Sequence, residues 1–326
     1  VKRRVKLIKN LEIKNFKSIK YLKLDCKRVN IFIGKPNTGK SNILESVGVF
    51  SLSYGNLKDY VRFENMTNLF YDHDLGEKIE MTNDDIYCEI KFENGRFIGK
   101  GGDKDNKVFN FDFNFDYVGS GSSGRGGVSP FKFYRFEVMN TFRRQDSNFL
   151  LPPKGENLLF ILQSNKSLRK LAADMFSEYG LRIVLKPQES KIEVQKEIED
   201  VIISYPYSMV SDTLQRIVFY LVAIETNKDS TIIFEEPEAH AFPYYTKYLA
   251  ERIALDKTNQ YFISTHNPYF LSSVLEKTPK DDIGIFITYF KDYQTKVRPF
   301  TEEEMPEILD LNMDVFFNLD RFLNAE

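Results

Sequence analysis

The sequence predicts an α/β fold, and three observations carry that prediction. Short, almost continuously apolar runs at 29–33, 231–234 and 260–264 read as buried strands. Segments of helical period follow them. Residues 86–118 alternate apolar and polar instead, as an antiparallel meander does.

The elements follow in order. Leu11, Ile13 and the Tyr21–Leu24 stretch alternate as half-buried strands. Val29–Ile33 is a buried central strand running into Gly34, and from Ser41 to about Phe50 the pattern turns helical. Ile86-Tyr-Cys-Glu-Ile-Lys-Phe and Phe109-Asn-Phe-Asp-Phe-Asn-Phe form the meander. Residues 119–127, GSGSSGRGG, hold no apolar side chain and read as a flexible loop or linker, a composition shared with engineered linkers. Strand character resumes at 131–137. Leu168, Leu171, Ala172, Met175 and Phe176 then mark one helix face, closed by Gly180. Further helices are expected at 212–226 and 244–255, with a last strand ending at Thr265-His266. No internal repeat is found.

Composition narrows the function classes. The chain has 326 residues, 42% of them hydrophobic, and a formal net charge of -2. Whole-surface binding to nucleic acid is thereby disfavoured, although a local basic patch is compatible with it. Arg143-Arg144 and the early lysines and arginines are candidates for such a patch, with scattered solvated charge as the plainer reading. Cys26 and Cys88 are far apart and in no metal-ligand spacing, which suggests reduced, half-buried thiols. No run approaches a membrane span and no signal-peptide pattern follows Val1-Lys-Arg-Arg, so a cytoplasmic location without membrane contact is expected.

Two motifs carry chemistry. Gly34-Lys35-Pro36-Asn37-Thr38-Gly39-Lys40-Ser41 has the pattern G-x-x-x-x-G-K-[ST]. Its glycines let backbone wrap a phosphate chain, and the following helix offers free N–H groups, Asn42 included, with the positive end of its dipole. Lys40 would reach the β- and γ-phosphates and the Ser41 hydroxyl would ligate Mg²⁺. The second motif, Glu235-Glu236-Pro237, ends an apolar strand. Two adjacent carboxylates at a strand end need a positive partner, and phosphate-bound Mg²⁺ supplies one. Glu235 would position the metal, and Glu236 would polarise the attacking water as general base. An acidic surface corner capping the next helix is the structural alternative.

With these motifs in place the chain resembles the ABC-type ATPase heads of the RecF, SMC and OLD kind, which are P-loop NTPases. Within these it looks most like stand-alone ATPases found beside nucleases or in phage defence. Five stretches carry the resemblance: Asn15-Phe-Lys-Ser18, the phosphate loop, Phe149-Leu-Leu-Pro-Pro-Lys-Gly-Glu-Asn-Leu158, Glu235-Glu-Pro-Glu-Ala-His240, and Ile263-Ser-Thr-His-Asn-Pro-Tyr-Phe-Leu271. The resemblance implies that His266 is a switch histidine for the γ-phosphate and that Lys17 approaches the nucleotide. It also implies that Ser211, opening Ser211-Asp-Thr-Leu-Gln215, is both helix N-cap and donor to the γ-phosphate of a second subunit. Three positions depart from the family pattern. Glu235 stands where Asp is usual, Thr213 near a usual glycine, and Phe242 where relatives often have histidine.

The implied architecture is a single two-lobed domain over 1–326. Residues 1–137 form a phosphate-loop lobe with the meander, 138–230 a helical signature lobe, and 231–326 return to a mixed core sheet. The implied activity is Mg²⁺-dependent ATP hydrolysis to ADP by a homodimer that sandwiches ATP between Lys40 of one subunit and Ser211 of the other. DNA and a nuclease or other effector are the partners the resemblance suggests. A binding module in which ATP acts as slow-turnover glue is the rival. A built-in nuclease finds no room after His266, and Asp281-Asp282 reads as a loop. A transporter ATPase fits the fold but suits the Glu-Pro-Glu-Ala-His stretch less well.

Overall fold

The computed structural model describes residues 8–83, 85–311 and 315–323. Val1-Lys-Arg-Arg, part of the candidate basic patch, lies outside them. Strands and helices are numbered in chain order. The middle of the molecule is a six-stranded sheet in the order β16 (Gln294–Pro299), β15 (Ile283–Lys291), β3 (Val29–Gly34), β14 (Gln260–Ser264), β13 (Thr231–Glu235) and β9 (Phe131–Tyr134). All neighbours are parallel except β16 against β15. The parallel strands are buried on both faces, which explains their continuous apolar runs. Ile31, Ile263 and Phe234 belong to one hydrophobic core, and Phe32, Phe262 and Ile233 to the other.

On the second face lie α1 (Lys40–Gly48) and a seven-stranded antiparallel sheet. Ile43, Leu44 and Val47 of α1 join that core. The sheet runs β2 (Ile19–Asp25), β1 (Asn10–Phe16), β4 (Ile79–Thr82), β5 (Ile86–Glu93), β6 (Arg96–Asp103), β7 (Phe109–Phe115) and β8 (Gly121–Gly127). A four-residue helix, α2 (Leu57–Tyr60), sits in the connection between α1 and β4. The strand β8 corrects the linker expectation for 119–127. It pairs with β7 from Phe115↔Gly121 to Phe109↔Gly127. Composition alone misleads here because the ladder needs backbone groups and no side-chain burial. The glycines also make room: a Cβ on Gly124 would come within 2.5 Å of Asp112 Oδ1, and one on Gly126 within 2.6 Å of Asn110 Oδ1.

The segment between β9 and β13 is mixed, not purely helical. It holds α3 (Leu158–Ser164), α4 (Lys166–Ser177), a small antiparallel sheet of β10 (Arg182–Lys186), β11 (Lys191–Ile198) and β12 (Val201–Pro206), and then α5 (Asp212–Thr226). The Asn165 side chain caps α4 by accepting from the Ser167 and Leu168 N–H groups. Gly180, at φ 69°, ends it as expected. The helices α6 (Pro243–Leu255) and α7 (Pro268–Lys277) follow β13 and β14, and both contribute to the first core. Near the end of the described chain lie α8 (Met305–Leu311) and α9 (Leu319–Leu323). Asp281-Asp282 is a short 3₁₀ turn, where Asp282 accepts from the buried Arg28 at 3.2 Å. Both cysteines are free and buried, more deeply than expected. Among the described residues no helix is long and apolar enough to cross a membrane.

Candidate functional site

The site forms where β3, β13 and β14 end side by side. Gly34 closes β3, and the loop to α1 turns through Asn37 at φ 59° and Gly39 at φ 96°. Glycine is required at both ends of that loop. A Cβ on Gly34 would meet Thr288 Oγ1 at 2.3 Å, and one on Gly39 would meet Thr295 Oγ1 at 2.0 Å. Thr38 shares a 2.6 Å hydroxyl contact with Thr288 and donates to the Lys35 carbonyl at 2.8 Å. Lys40 folds back over the loop and donates to the carbonyls of Gly34 at 2.8 Å and Lys35 at 2.9 Å. Burial pulls its ammonium down to about 8, with Glu236 acting in the opposite direction. Ser41 and Asn42 begin the helix, and Asn42 Nδ2 donates to Ser18 Oγ at 2.7 Å. The Lys35 side chain points elsewhere, to Asp320 at 2.7 Å.

The acidic pair has partners that sequence reasoning missed. Glu235 accepts from Arg62 at 2.9 Å and faces Arg135 at 3.5 Å. Both guanidiniums also reach Glu45, a fully buried α1 carboxylate, at 2.6 Å and 3.4 Å. Lys17 completes the cluster with a short contact to Glu45 and a 2.6 Å donation to the Arg62 carbonyl. Thus Lys17 lies beside the phosphate loop, but its ammonium is engaged by Glu45. No periodicity links Arg62 and Arg135 to α1 and β13. The one available signal was that Glu45 stands among the apolar residues of a predicted helix and must have a counter-charge.

Glu236 turns the other way. Its backbone adopts φ 46°, a left-handed conformation that a glutamate holds only under constraint. Its N–H donates to the Ser264 carbonyl at 3.0 Å, which ties the end of β13 to the end of β14. Its carboxylate meets His266 Nε2 at 3.2 Å. Burial, reinforced by the Lys40 charge, lowers the His266 pKa, while Glu236 opposes the shift. The lowered pKa leaves the imidazole neutral near pH 7, with Nε2 facing the Glu236 carboxylate. The structure thus brings Lys40, Glu236 and His266 within electrostatic reach of one another.

Ser211 is placed differently. It is exposed at the N-cap of α5, yet its hydroxyl makes no capping bond, so the N-cap half of its expected role is not realised. Thr213, at the altered signature position, donates to the His240 carbonyl at 2.8 Å and ties α5 to the segment after the acidic pair. Within Phe149–Leu158, Asn157 accepts from the Leu151 N–H at 2.8 Å and donates to the Phe149 carbonyl at 3.0 Å, a scaffolding role. Arg143 pairs with Glu156 at 3.2 Å, which breaks up the charge of the Arg143-Arg144 pair. A cleft of about 790 Å³ is lined by Lys17, Ser18, Arg62, Asn68, His73 and Tyr293 among others; Ser18 joins it to the start of α1 through Asn42, while none of residues 34–41 lines it.

Comparison with known proteins bears on the family and the fold. Among curated proteins none matches the chain. Among solved structures, an SmcHead bound to the C-winged helix domain of ScpA superposes with a TM-score of 0.54 at 14% identity, covering 91% of this chain and 99% of that one. An Smc head domain with an extended coiled coil, bound to the C-terminal domain of ScpA derived from Pyrococcus furiosus, gives 0.53 at 12% identity, with 93% and 98% covered. At such identities the likeness is one of fold, and the chain has the P-loop NTPase fold of SMC heads. Residues 29–272 match the family described as "AAA domain, putative AbiEii toxin, Type IV TA system". That span is well over half of the 326 residues, and the chain belongs to this AAA domain family.

Proposed function

We propose that the chain binds ATP with Mg²⁺ and hydrolyses it as a nucleotide-sandwich homodimer. The observation that carries the reading is the convergence of Lys40, Glu236 and His266 where three parallel strands end, a region typical of ligand sites in open α/β sheets. The loop from Gly34 to Ser41, with the N–H groups that open α1, takes the phosphates. The cleft beside Lys17 and Ser18 takes the rest of the nucleotide.

The residues fit Mg²⁺. Ser41 and Glu235 offer hard oxygen donors, and Ser264, the register partner of Glu235, has a buried hydroxyl with no hydrogen-bond partner. Bound there, Mg²⁺ would supply charge stabilisation to the phosphates. The protein's own part is separate. Lys40 holds phosphate oxygens, Glu236 accepts the proton of the attacking water, and His266 keeps the Glu236 carboxylate oriented.

The second reading is an ATP-dependent scaffold with little turnover, and Thr213 at the signature position favours it. In either case ATP would act through a partner. Two solved heads of this fold are bound to a ScpA domain, so a protein partner is the nearer analogy, with DNA or a nuclease as further candidates.

Glu236→Gln provides the test because it holds ATP unreacted. In that background Mg-ATP is expected to convert monomer to dimer in light scattering, and ADP is not. Adding Ser211→Arg should block the conversion while leaving ATP binding to the monomer intact. A Glu236→Gln protein that stays monomeric at saturating ATP and about ten times the concentration of a micromolar dimer's Kd would refute the sandwich. Rapid multiple turnover by wild type would remove the scaffold reading.

A further inference from the structure

The carboxyl of Glu238 is buried next to the acidic pair, and nothing above uses it. It is 4% exposed. The Thr265 hydroxyl donates to its Oε1, while its Oε2 has no hydrogen-bond partner. Thr265 is itself fully buried and in turn accepts from the Asn267 N–H at 3.0 Å. Asn267 then caps α7, its side chain accepting from the Phe270 N–H at 3.1 Å. His266 lies between the two residues of this chain of bonds. Glu238 therefore braces, from beneath, the turn that presents His266 to Glu236.

We propose that Glu238 is a positioning residue, which through Thr265 fixes the turn 265–267 and so holds His266 against Glu236. The consequence for turnover rests on the ATPase reading of the site; the structural link does not. A carboxyl half-left without partners is costly in a core, and a packing role alone would be served by an apolar side chain. Burial, with the Glu236 charge adding to it, pushes the Glu238 carboxyl up to about 7, against the Thr265 hydroxyl and the backbone N–H groups of Glu238 and His266, which act to lower it. In its neutral form it still accepts from Thr265 without bringing a third negative charge next to Glu235 and Glu236. Tyr220 and Glu236 are the titratable groups felt around it, and Lys40 and Glu236 those around His266.

Three variants test the link: Glu238→Gln keeps the acceptor, Glu238→Ala removes it, and Thr265→Val removes the donor at nearly constant volume. The first readout is the NMR titration midpoint of His266, resolved from His73 and His240, without nucleotide. We expect Glu238→Ala and Thr265→Val to move that midpoint by about half a pH unit or more, and Glu238→Gln to leave it in place. At saturating Mg-ATP the first two should turn over about ten- to a hundredfold more slowly with ATP affinity little changed, and Glu238→Gln should retain the wild-type rate within about twofold. Should Glu238→Ala fail to fold, Thr265→Val carries both readouts. An unmoved His266 midpoint in folded Thr265→Val would overturn the proposal, as would Glu238→Gln behaving like Glu238→Ala. A moved midpoint in a chain that hydrolyses no ATP would uphold the link and defeat the ATPase reading instead.

Discussion

Lys17 can be assigned to nucleotide binding or to the stability of the fold, and one substitution separates these roles. Its ammonium contacts Glu45 Oε2 and donates to the Arg62 carbonyl, while the Glu45 side chain has no exposure and that of Lys17 only 12%. Lys17→Met keeps most of the stem and removes the charge. Glu45 Oε1 keeps Arg62 at 2.6 Å and Arg135 at 3.4 Å, but Oε2 is left buried without its cation. Breaking a buried pair outright costs about 3–5 kcal/mol. A lost hydrogen bond that orphans a buried acceptor costs about 1–3 kcal/mol. With two guanidiniums still present, a loss of about 2–3 kcal/mol is expected. For 326 residues the unfolding entropy near 60 °C is about 0.7 kcal/mol/K, so Tm should fall by about 3–4 °C.

Urea unfolding followed by circular dichroism gives the free energy, and calorimetry gives ATP affinity of the same protein. A double-mutant cycle with Glu45→Gln should show coupling of more than about 1 kcal/mol, since the two groups share one network. A Lys17→Met protein within about 0.5 kcal/mol of wild type would refute the structural role. If the same protein then bound ATP much more weakly, Lys17 would belong to the nucleotide site.

Two further predictions concern protons. Lys40 in the free protein titrates at about 8, and phosphate binding should raise that value. Above pH 8 the free protein has lost a proton that the complex holds, so ATP binding should take one up and affinity should fall by up to about tenfold per pH unit. Calorimetry in buffers of different ionisation enthalpy reads the uptake, and none at pH 9 would contradict the assignment. Lys132 is buried against the Phe149 ring at 3.7 Å and donates to Ser230 Oγ at 3.1 Å and to Asn227. Burial pulls its ammonium down to about 7 from an ordinary 10.5. Below pH 7 both states hold the proton; between about 7 and 10 the unfolded chain holds more, so stability should rise with pH in that window. Lys132→Met should flatten this rise, and an identical slope in the variant would show that the gain comes from other groups.

Much of the fold was legible because its signals are local. Helix α5 covers 212–226 as its period predicts, and β3, β13 and β14 are apolar on both faces because both faces are covered. What escaped is non-local. Strand β8 has no side-chain pattern, since its place in the sheet depends on backbone pairing with β7. The small sheet β10 to β12 keeps much of its apolar surface exposed, Val201 and Ile202 included, so burial periodicity does not mark it. In the candidate site, the loop from Gly34 to Ser41 and Glu236 were picked out by motif and context, and His266 by the family resemblance. Arg62 and Arg135 were not, because only the folded chain brings them to Glu235.

These arginines bear on the question that the acidic pair poses. Two carboxylates at a strand end were expected to depend on phosphate-bound Mg²⁺ for their counter-charge. The chain supplies partners itself, from Arg62 and Arg135 on Glu235 and from the His266 imidazole, whose Nε2 lies 3.2 Å from the Glu236 carboxylate. Lys40 likewise satisfies itself on loop carbonyls. On the proposed reading, nucleotide binding is an exchange of partners, and its free energy is a difference between two well-paired states. Such exchange favours a switch. The groups that would hold ATP are already ordered, so little conformational entropy is lost on binding. The cations freed from Glu235 would meet phosphate charge without leaving the site, and Arg62, with 57% of its side chain exposed, has the freedom to do so. Because Arg62 also contacts Glu45 on α1 and its carbonyl accepts from Lys17, its displacement would be felt at β1 and α1 together. A change at the phosphates can in this way reach the antiparallel sheet through groups in direct contact.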